Sequence, residues 1–295
     1  MQPSILPPSK KLQSIVQRFE FYKIDADSNT EHSFLLLPSF DNGLIFLFYE
    51  DKPFILKSEV LDYVPVPASN LLPTVSIPSY NYGLRKLKAI RVLFQPSALS
   101  VTFDISIKSH QSAVLELREL DKELHFIQEK LAETTNHVSQ RSIIESYLLK
   151  RLRFKNFSKT FFAPLHQAIL NSGYGTTIPK LAREIGLSTR HLNRLLNEQV
   201  GFSLTEFKRV HRFCRVIHYL NQPTIPTFTE IAYNFDYYDQ AHFIRDFKRM
   251  SYHAPSSYLK AIGKEHQLLF NSLYDLDYSG VLIHRKNRRV RNWMD

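Results

Sequence analysis

The chain has 295 residues, 43% of them hydrophobic and 13% aromatic, and carries a formal net charge of +10 at pH 7. That length accommodates two domains, each with its own core. No run of 18 apolar residues occurs and no basic-then-apolar leader follows Met1, so neither a membrane span nor a signal peptide is expected and the predicted location is the cytoplasm. The single cysteine, Cys214, excludes an intrachain disulfide and any multi-cysteine metal site.

After a Pro/Ser/Lys-rich opening and an extended SIVQRFEFYKI, the first hundred residues break into short β-rich runs. They are SFLLLP (33–38), GLIFLFYE (43–50), PFILK (53–57), DYVPVP (62–67), PTVSIP (73–78) and KAIRVLFQP (88–96). Pro, Asn and Gly interrupt them about every ten residues, the rhythm of a small β-barrel or sandwich. Asn42-Gly43 is a turn signal. A metal-using barrel needs several His and carboxylate ligands converging on one point. This region offers only His32 and His110, so no metal is expected. Phe46, Phe48, Tyr49, Tyr63, Tyr80, Tyr82 and Phe94 are core aromatics by default, and some of them are candidates to line a ligand pocket.

From 111 to 170 the period changes to that of helices. Val114, Leu117, Leu120, Leu124, Ile127 and Leu131 recur at steps of three and four within SAVLELRELDKELHFIQEKLAE, and a second amphipathic helix is expected over 139–154. FFAPLHQAILNSG forms a third. Gly173 to Thr177 reads as a linker ending in a cap, with Pro179 at an early helical position.

Between Thr177 and Lys260 the chain reads as two helix-turn-helix units joined by a longer helix. In the first, Ile178, Leu181, Ala182 and Ile185 form one buried stripe, Gly186 ends the helix in left-handed geometry and Leu187 tucks inward. Ser188 caps a second helix whose Leu192, Leu195 and Leu196 face the core. Arg190, Asn193, Arg194 and Asn197 remain on the outer face. Arg pairs with guanine edges and Asn with adenine, so this row suits the DNA major groove. The second unit repeats the plan. Ile231, Ala232 and Phe235 are buried, Asp236-Tyr237 turns, and Asp239 caps a helix with Phe243 and Phe247 inward. Gln240, Ala241, Ile244, Arg245 and Lys248 lie outward. The connecting helix, 204–220, has Leu204, Phe207, Val210, Phe213, Cys214, Ile217 and Leu220 on one face. It spans ~25 Å, which with its flanking units matches the ~34 Å between successive major-groove segments.

These residues resemble the DNA-binding domain of AraC/XylS-type transcriptional regulators. The segments that carry the likeness are LAREIGLSTRHLNRLLNEQVGFSLTEF, EIAYNFDYYDQAHFIRDFKRM and the closing APSSYLK. The resemblance implies base contacts from Arg190, Asn193 and Arg194, and from Gln240, Ala241 and Arg245. Two positions depart from it: Asp236 and Tyr252 stand where the family usually has Gly. Asp tolerates left-handed backbone fairly well and Tyr poorly. More diffusely, the first 110 residues resemble the cupin-like N-terminal domains of such regulators.

The expected architecture is α+β. It comprises a cupin-like β-rich sensing or assembly domain (1–110), a helical connector (111–170) that either caps the barrel or, as the resemblance implies, forms a dimer contact, an all-α, homeodomain-like double helix-turn-helix domain (171–262) and a basic tail (263–295). From Asn171 onward, 18 Lys and Arg stand against 11 Asp and Glu, which leaves +7 of the total +10 in this part and fits phosphate contact. The tail cluster Arg285, Lys286, Arg288, Arg289 and Arg291, with Trp293, reads either as a phosphate-binding arm or as a solvated end. No nucleophile elbow, phosphate-cradling Gly loop or dinucleotide fingerprint occurs, so no enzyme activity and no cofactor are expected. The function expected is sequence-specific DNA binding in transcription. Double-stranded DNA is the main partner, and the resemblance adds a small-molecule effector, a homodimer and RNA polymerase. The alternative is a ligand-independent DNA-binding or assembly protein whose N-terminal half is purely structural.

Overall fold

The computed structural model describes residues 4–25, 32–49, 55–59, 62–72, 78–84, 86–110, 114–152, 162–220 and 227–262. The tail with Arg285, Lys286, Arg288, Arg289, Arg291 and Trp293 lies outside them, as does most of the strand expected at 73–78.

The described residues of the first hundred form nine strands: β1 (Ser4–Leu6), β2 (Val16–Asp25), β3 (His32–Leu36), β4 (Gly43–Tyr49), β5 (Ile55–Ser58), β6 (Val64–Pro65), β7 (Ser69–Leu72), β8 (Ser79–Leu84) and β9 (Lys86–Phe94). They form two antiparallel sheets, ordered β1-β2-β9-β4-β7 and β3-β8-β5-β6. Alternation decides which face is apolar. In the five-stranded sheet, Phe19, Phe21, Leu44, Phe46, Ile90, Val92 and Phe94 pack against helices, while Arg18, Glu20, Tyr22 and Arg91 belong to the other face. Asn42-Gly43 makes no hairpin, because β3 and β4 belong to different sheets. Gly43 serves close approach instead: a Cβ there would lie 1.9 Å from the Val92 carbonyl oxygen of β9.

The helical part begins earlier than periodicity indicates, with α1 (Ala98–Phe103) and a 3-10 turn at Ile107–His110. The single helix expected over 112–133 is broken into α2 (Leu117–Leu120) and α3 (Glu123–Ala132). The cause is Asp121, which takes extended geometry and accepts from the Glu123 amide at 2.9 Å. Its other oxygen accepts from the Tyr147 hydroxyl and the Arg151 guanidinium of α4 (His137–Leu152). Such local side-chain bonds compete with helix continuation. α5 (Phe162–Ser172) follows.

Six helices complete the described chain: α6 (Ile178–Glu184), α7 (Thr189–Leu195), α8 (Leu204–Leu220), α9 (Phe228–Asn234), α10 (Gln240–Ser251) and α11 (Pro255–Ile262). A π-type turn at Leu196–Val200 extends α7. All seven core positions expected for α8 are buried. One core cluster unites these helices with Leu37, Phe40, Leu72 and Leu93 of the β region. Phe40 sits at the join, with its ring centroid 5.6 Å from Phe202 and 4.8 Å from Phe207. Beside it the Cys214 thiol points at the Pro38 carbonyl, 3.7 Å away.

Candidate nucleic-acid interface

Both units are built from local signals. Gly186 adopts φ 71° and ends α6. The Ser188 hydroxyl accepts from the His191 amide at 3.2 Å and starts α7. In the second unit, Thr227 and Glu230 form a reciprocal capping box that starts α9. Its carboxylate accepts from the Thr227 amide and hydroxyl, which hold the Glu230 pKa below the usual range. Asp239 caps α10 by accepting from the His242 amide at 2.6 Å. Asp236 and Tyr252 are both left-handed, with φ 55° and φ 58°. Asp236 uses this geometry, since its carboxylate accepts from the Tyr174 amide of the linker at 2.8 Å.

Aligning the two caps, Ser188 with Asp239, pairs Arg194 with Arg245 and Asn197 with Lys248. From the left-handed residue to the cap the second turn is one residue longer than the first, and the inserted Tyr238 is 92% exposed. Nothing in its sequence context marked Tyr238. His191 is likewise exposed, on the first turn of α7.

Arg190 and Arg194 are exposed on α7. Arg194 pairs with Glu198 one turn on, at 2.9 Å. Asn193 and Asn197 are half-buried and engaged. Asn193 Oδ1 accepts from the Leu204 amide at 3.3 Å, fastening α7 to the start of α8. Asn197 donates to the Asn193 carbonyl at 2.8 Å, and its oxygen accepts from Lys108 Nζ, also at 2.8 Å. Lys108 lies in the 3-10 turn of the N-terminal part, which therefore touches the end of this helix. Leu195, expected in the core, is only half-buried, because the backbone widens into the π turn just beyond it.

On α10, Gln240, Ala241, Arg245 and Lys248 are exposed and share the outer side with Arg249. Gln240 accepts from the Thr229 hydroxyl at 3.1 Å. Ile244 departs from the expected outward face: it is half-buried and packs against the core. Asp246 is buried. It accepts from Arg209 Nε at 2.7 Å and from the Tyr237 hydroxyl at 3.2 Å, and lies 3.5 Å from Arg212 Nη2. Burial pushes the Tyr237 hydroxyl pKa up. The Lys208 ammonium, bonded to the Thr176 carbonyl, is pushed down by burial and by Arg212.

The β region holds a polar cluster that strand-by-strand reading did not reveal. Arg18, Glu20, Tyr22 and Arg91 converge with Asp41 from the loop before β4, and all are buried. Glu20 accepts from Arg18 Nε at 2.6 Å and the Tyr22 hydroxyl at 2.7 Å, and lies 3.0 Å from Arg91 Nη1. Burial raises its pKa, but the two guanidiniums outweigh burial and hold it below the usual value. Asp41 approaches Arg91 and Arg18 only at 3.6 and 3.8 Å. Its Oδ2 has no hydrogen-bond partner among the described residues. Burial wins there and its pKa is raised. Two guanidiniums face two carboxylates, so the charges balance. No group of three or more His, Cys, Asp or Glu placed to hold a metal ion occurs among the described residues. Burial pushes the Cys214 thiol well above its ordinary pKa, which disfavours the thiolate. Among the aromatics named above, Phe46 and Phe94 are buried and Tyr63 is exposed. The side chains of Tyr80 and Tyr82 lie outside the described residues.

Residues 181–261 match a family model described as a helix-turn-helix domain. No curated protein matches the chain. Among solved structures it is similar to ToxT from Vibrio cholerae, at 13% identity, over 82% of this chain and 97% of that one, with a TM-score of 0.45. An unsaturated fatty acid bound form of ToxT shows 14% identity over 82% and 94%, with a TM-score of 0.46. The C-terminal domain of AraT, a response regulator from Geobacillus stearothermophilus, shows 22% identity over 35% and 86%, with a TM-score of 0.32. Among the described residues no helix is long and apolar enough to cross a membrane.

Proposed function

We propose that this chain, whose residues 181–261 form a helix-turn-helix domain of the AraC type, is a sequence-specific DNA-binding regulator of transcription and not an enzyme. One observation carries the reading: two capped helices present Arg194 and Arg245 at equivalent exposed positions, joined by the 17-residue α8. Both helices enter the major groove on one face of the DNA. Arg190, Arg194, Gln240, Ala241 and Arg245 reach base edges, Asn193 and Asn197 support the first helix, and Lys248 and Arg249 meet phosphates. In this division, residues 1–110 sense or assemble, 111–170 connect and dimerise, and 171–262 bind DNA. The protein acts in the cytoplasm, with RNA polymerase as its further partner.

A second reading, in which the N-terminal half is structural and takes no effector, is favoured by the charge balance of the Arg18, Glu20, Arg91 and Asp41 cluster. A thermal-shift screen of small molecules separates the two, since a ligand that binds the folded state raises Tm.

Selection from a random DNA pool at physiological salt, with the full chain, tests the main reading. Enrichment of two short blocks about one helical turn apart is the expected result. Salt-sensitive binding to every sequence, with no enrichment, contradicts it.

A further inference from the structure

Each recognition helix is fastened to α8 by one polar side chain, and the two fastenings differ in kind. In the first unit the tie is Asn193, a neutral amide bonded to the Leu204 amide at the beginning of α8. In the second it is Asp246, whose cap-aligned counterpart in the first unit is the uncharged Leu195. Asp246 reaches Arg209 and Arg212, one turn apart in the body of α8. It also takes the hydroxyl of Tyr237 in the turn. Arg212 closes the arrangement by lying 4.0 Å over the Tyr237 ring and donating to the Asp236 carbonyl at 3.3 Å. Three elements, α8, the second turn and α10, thus meet on one carboxylate. Beneath it, Phe213 of α8 and Phe247 of α10 touch with ring centroids 5.4 Å apart. Aromatic packing sets a distance but permits rotation. A carboxylate whose two oxygens are held from different sides, Oδ1 by Arg209 Nε and Oδ2 by the Tyr237 hydroxyl with Arg212 3.5 Å away, also sets direction.

We propose that Asp246 is a positioning residue that fixes the orientation of the second recognition helix relative to α8, and so sets the spacing of DNA blocks that the two helices read together. The proposal rests on the DNA-binding reading above. Two recognition helices on one rigid rod act as a bivalent ligand: once the first is seated, the second meets its block at an effective concentration set by the stiffness of the connection. Asp246 supplies stiffness at the second joint and itself touches no DNA.

The test compares wild type with Asp246→Asn, full-length, on DNA selected by the wild type from a random pool. Probes carry both blocks at a series of spacings, or one block alone. Wild type is expected to bind tightest at one spacing. Asp246→Asn is expected to lose on the order of tenfold there, to bind the neighbouring spacings nearly as well, and to keep its single-block affinity within about twofold. Asp246→Glu, which retains the carboxylate, is expected to recover part of the spacing preference. If Asp246→Asn does not fold, Arg209→Lys keeps the charge, loses the directed Nε–H bond to Asp246 and is expected to blur the spacing in the same way. A spacing optimum as sharp as the wild type's overturns the proposal and leaves the DNA-binding reading intact. So does an equal loss on single-block and two-block probes, which marks a merely structural role. If the wild type selects no two-block DNA, the reading and the proposal fall together.

Discussion

Position 236 tests whether this departure from glycine is a defect or a working part. Asp236 holds φ 55°, where a β-carbon costs ~1–2 kcal/mol for an ordinary residue and less for Asp. Its carboxylate accepts from the Tyr174 amide at 2.8 Å in an exposed setting, which is worth about 1 kcal/mol net. Asp236→Gly relieves the strain but adds unfolded-chain entropy of similar size, about 0.5–1 kcal/mol. What remains is the lost hydrogen bond, so the glycine variant is expected to be about 1 kcal/mol less stable than wild type. Asp236→Ala loses the bond and keeps an intolerant left-handed residue, for a total of about 2 kcal/mol. Asp236→Asn retains an acceptor and the tolerance, and is expected to fall within about 0.5 kcal/mol of wild type. Urea unfolding followed by helical circular dichroism, with the m-value checked for constancy, gives the order Asn, Gly, Ala from most to least stable. A glycine variant more stable than wild type refutes the reasoning, because Asp236 would then be strain without compensation.

The two carboxylates of the β-region cluster are expected to respond oppositely. Glu20→Gln removes the group that answers both guanidiniums and costs ~3–5 kcal/mol, whereas Asp41→Asn is neutral or stabilising at pH 7. The folded pKa of Asp41 is raised, so its favourable contribution exists only below the unfolded value and is lost as pH rises; equal destabilisation by the two variants in chemical denaturation contradicts this. Arg194→Ala and Arg245→Ala are each expected to relax base preference at one position of the selected DNA and to cost ~1–3 kcal/mol there; a uniform loss on all sequences, read by competition binding, would reassign either residue to phosphate. Glu230 has a lowered folded pKa, so its capping contribution is complete above the unfolded value of about 4.3 and disappears as pH falls through the folded one. The difference in urea midpoint between wild type and Glu230→Gln should therefore be constant at neutral pH and shrink in acid, and a difference that grows in acid reverses the sign of the argument.

The helix-turn-helix units were legible because their signals are local. A cap, a left-handed position and a 3.6-residue stripe all lie within one turn of the element they define, and α8 falls on the expected 204–220 with its whole apolar face buried. The sheets were legible only as strands. Which strand pairs with which depends on partners tens of residues away, so the turn signal at Asn42-Gly43 does not tell that the chain crosses there between sheets. The Arg18, Glu20, Arg91 and Asp41 cluster was invisible for the same reason, since it is assembled from two strands and a loop.

Periodicity also cannot say what a polar side chain on a helix is occupied with. Asn193 and Asn197 fall on the outer row by spacing, yet both are spent on neighbouring backbone and on Lys108. Asp246 is the converse case, and its signal was present in the sequence. It stands between the inward residues Phe243 and Phe247, where a carboxylate is expensive unless cations answer it, and α8 carries Arg209 and Arg212 one turn apart. A charge on an apolar stripe, matched by opposite charges at helical spacing on the helix that must cover it, identifies a joint between helices before any coordinates are known. The same rule separates the two units: in the first, Leu195 stands at the equivalent place and Arg194 pairs outward with Glu198, while in the second the ion pair faces inward and Arg245 is exposed.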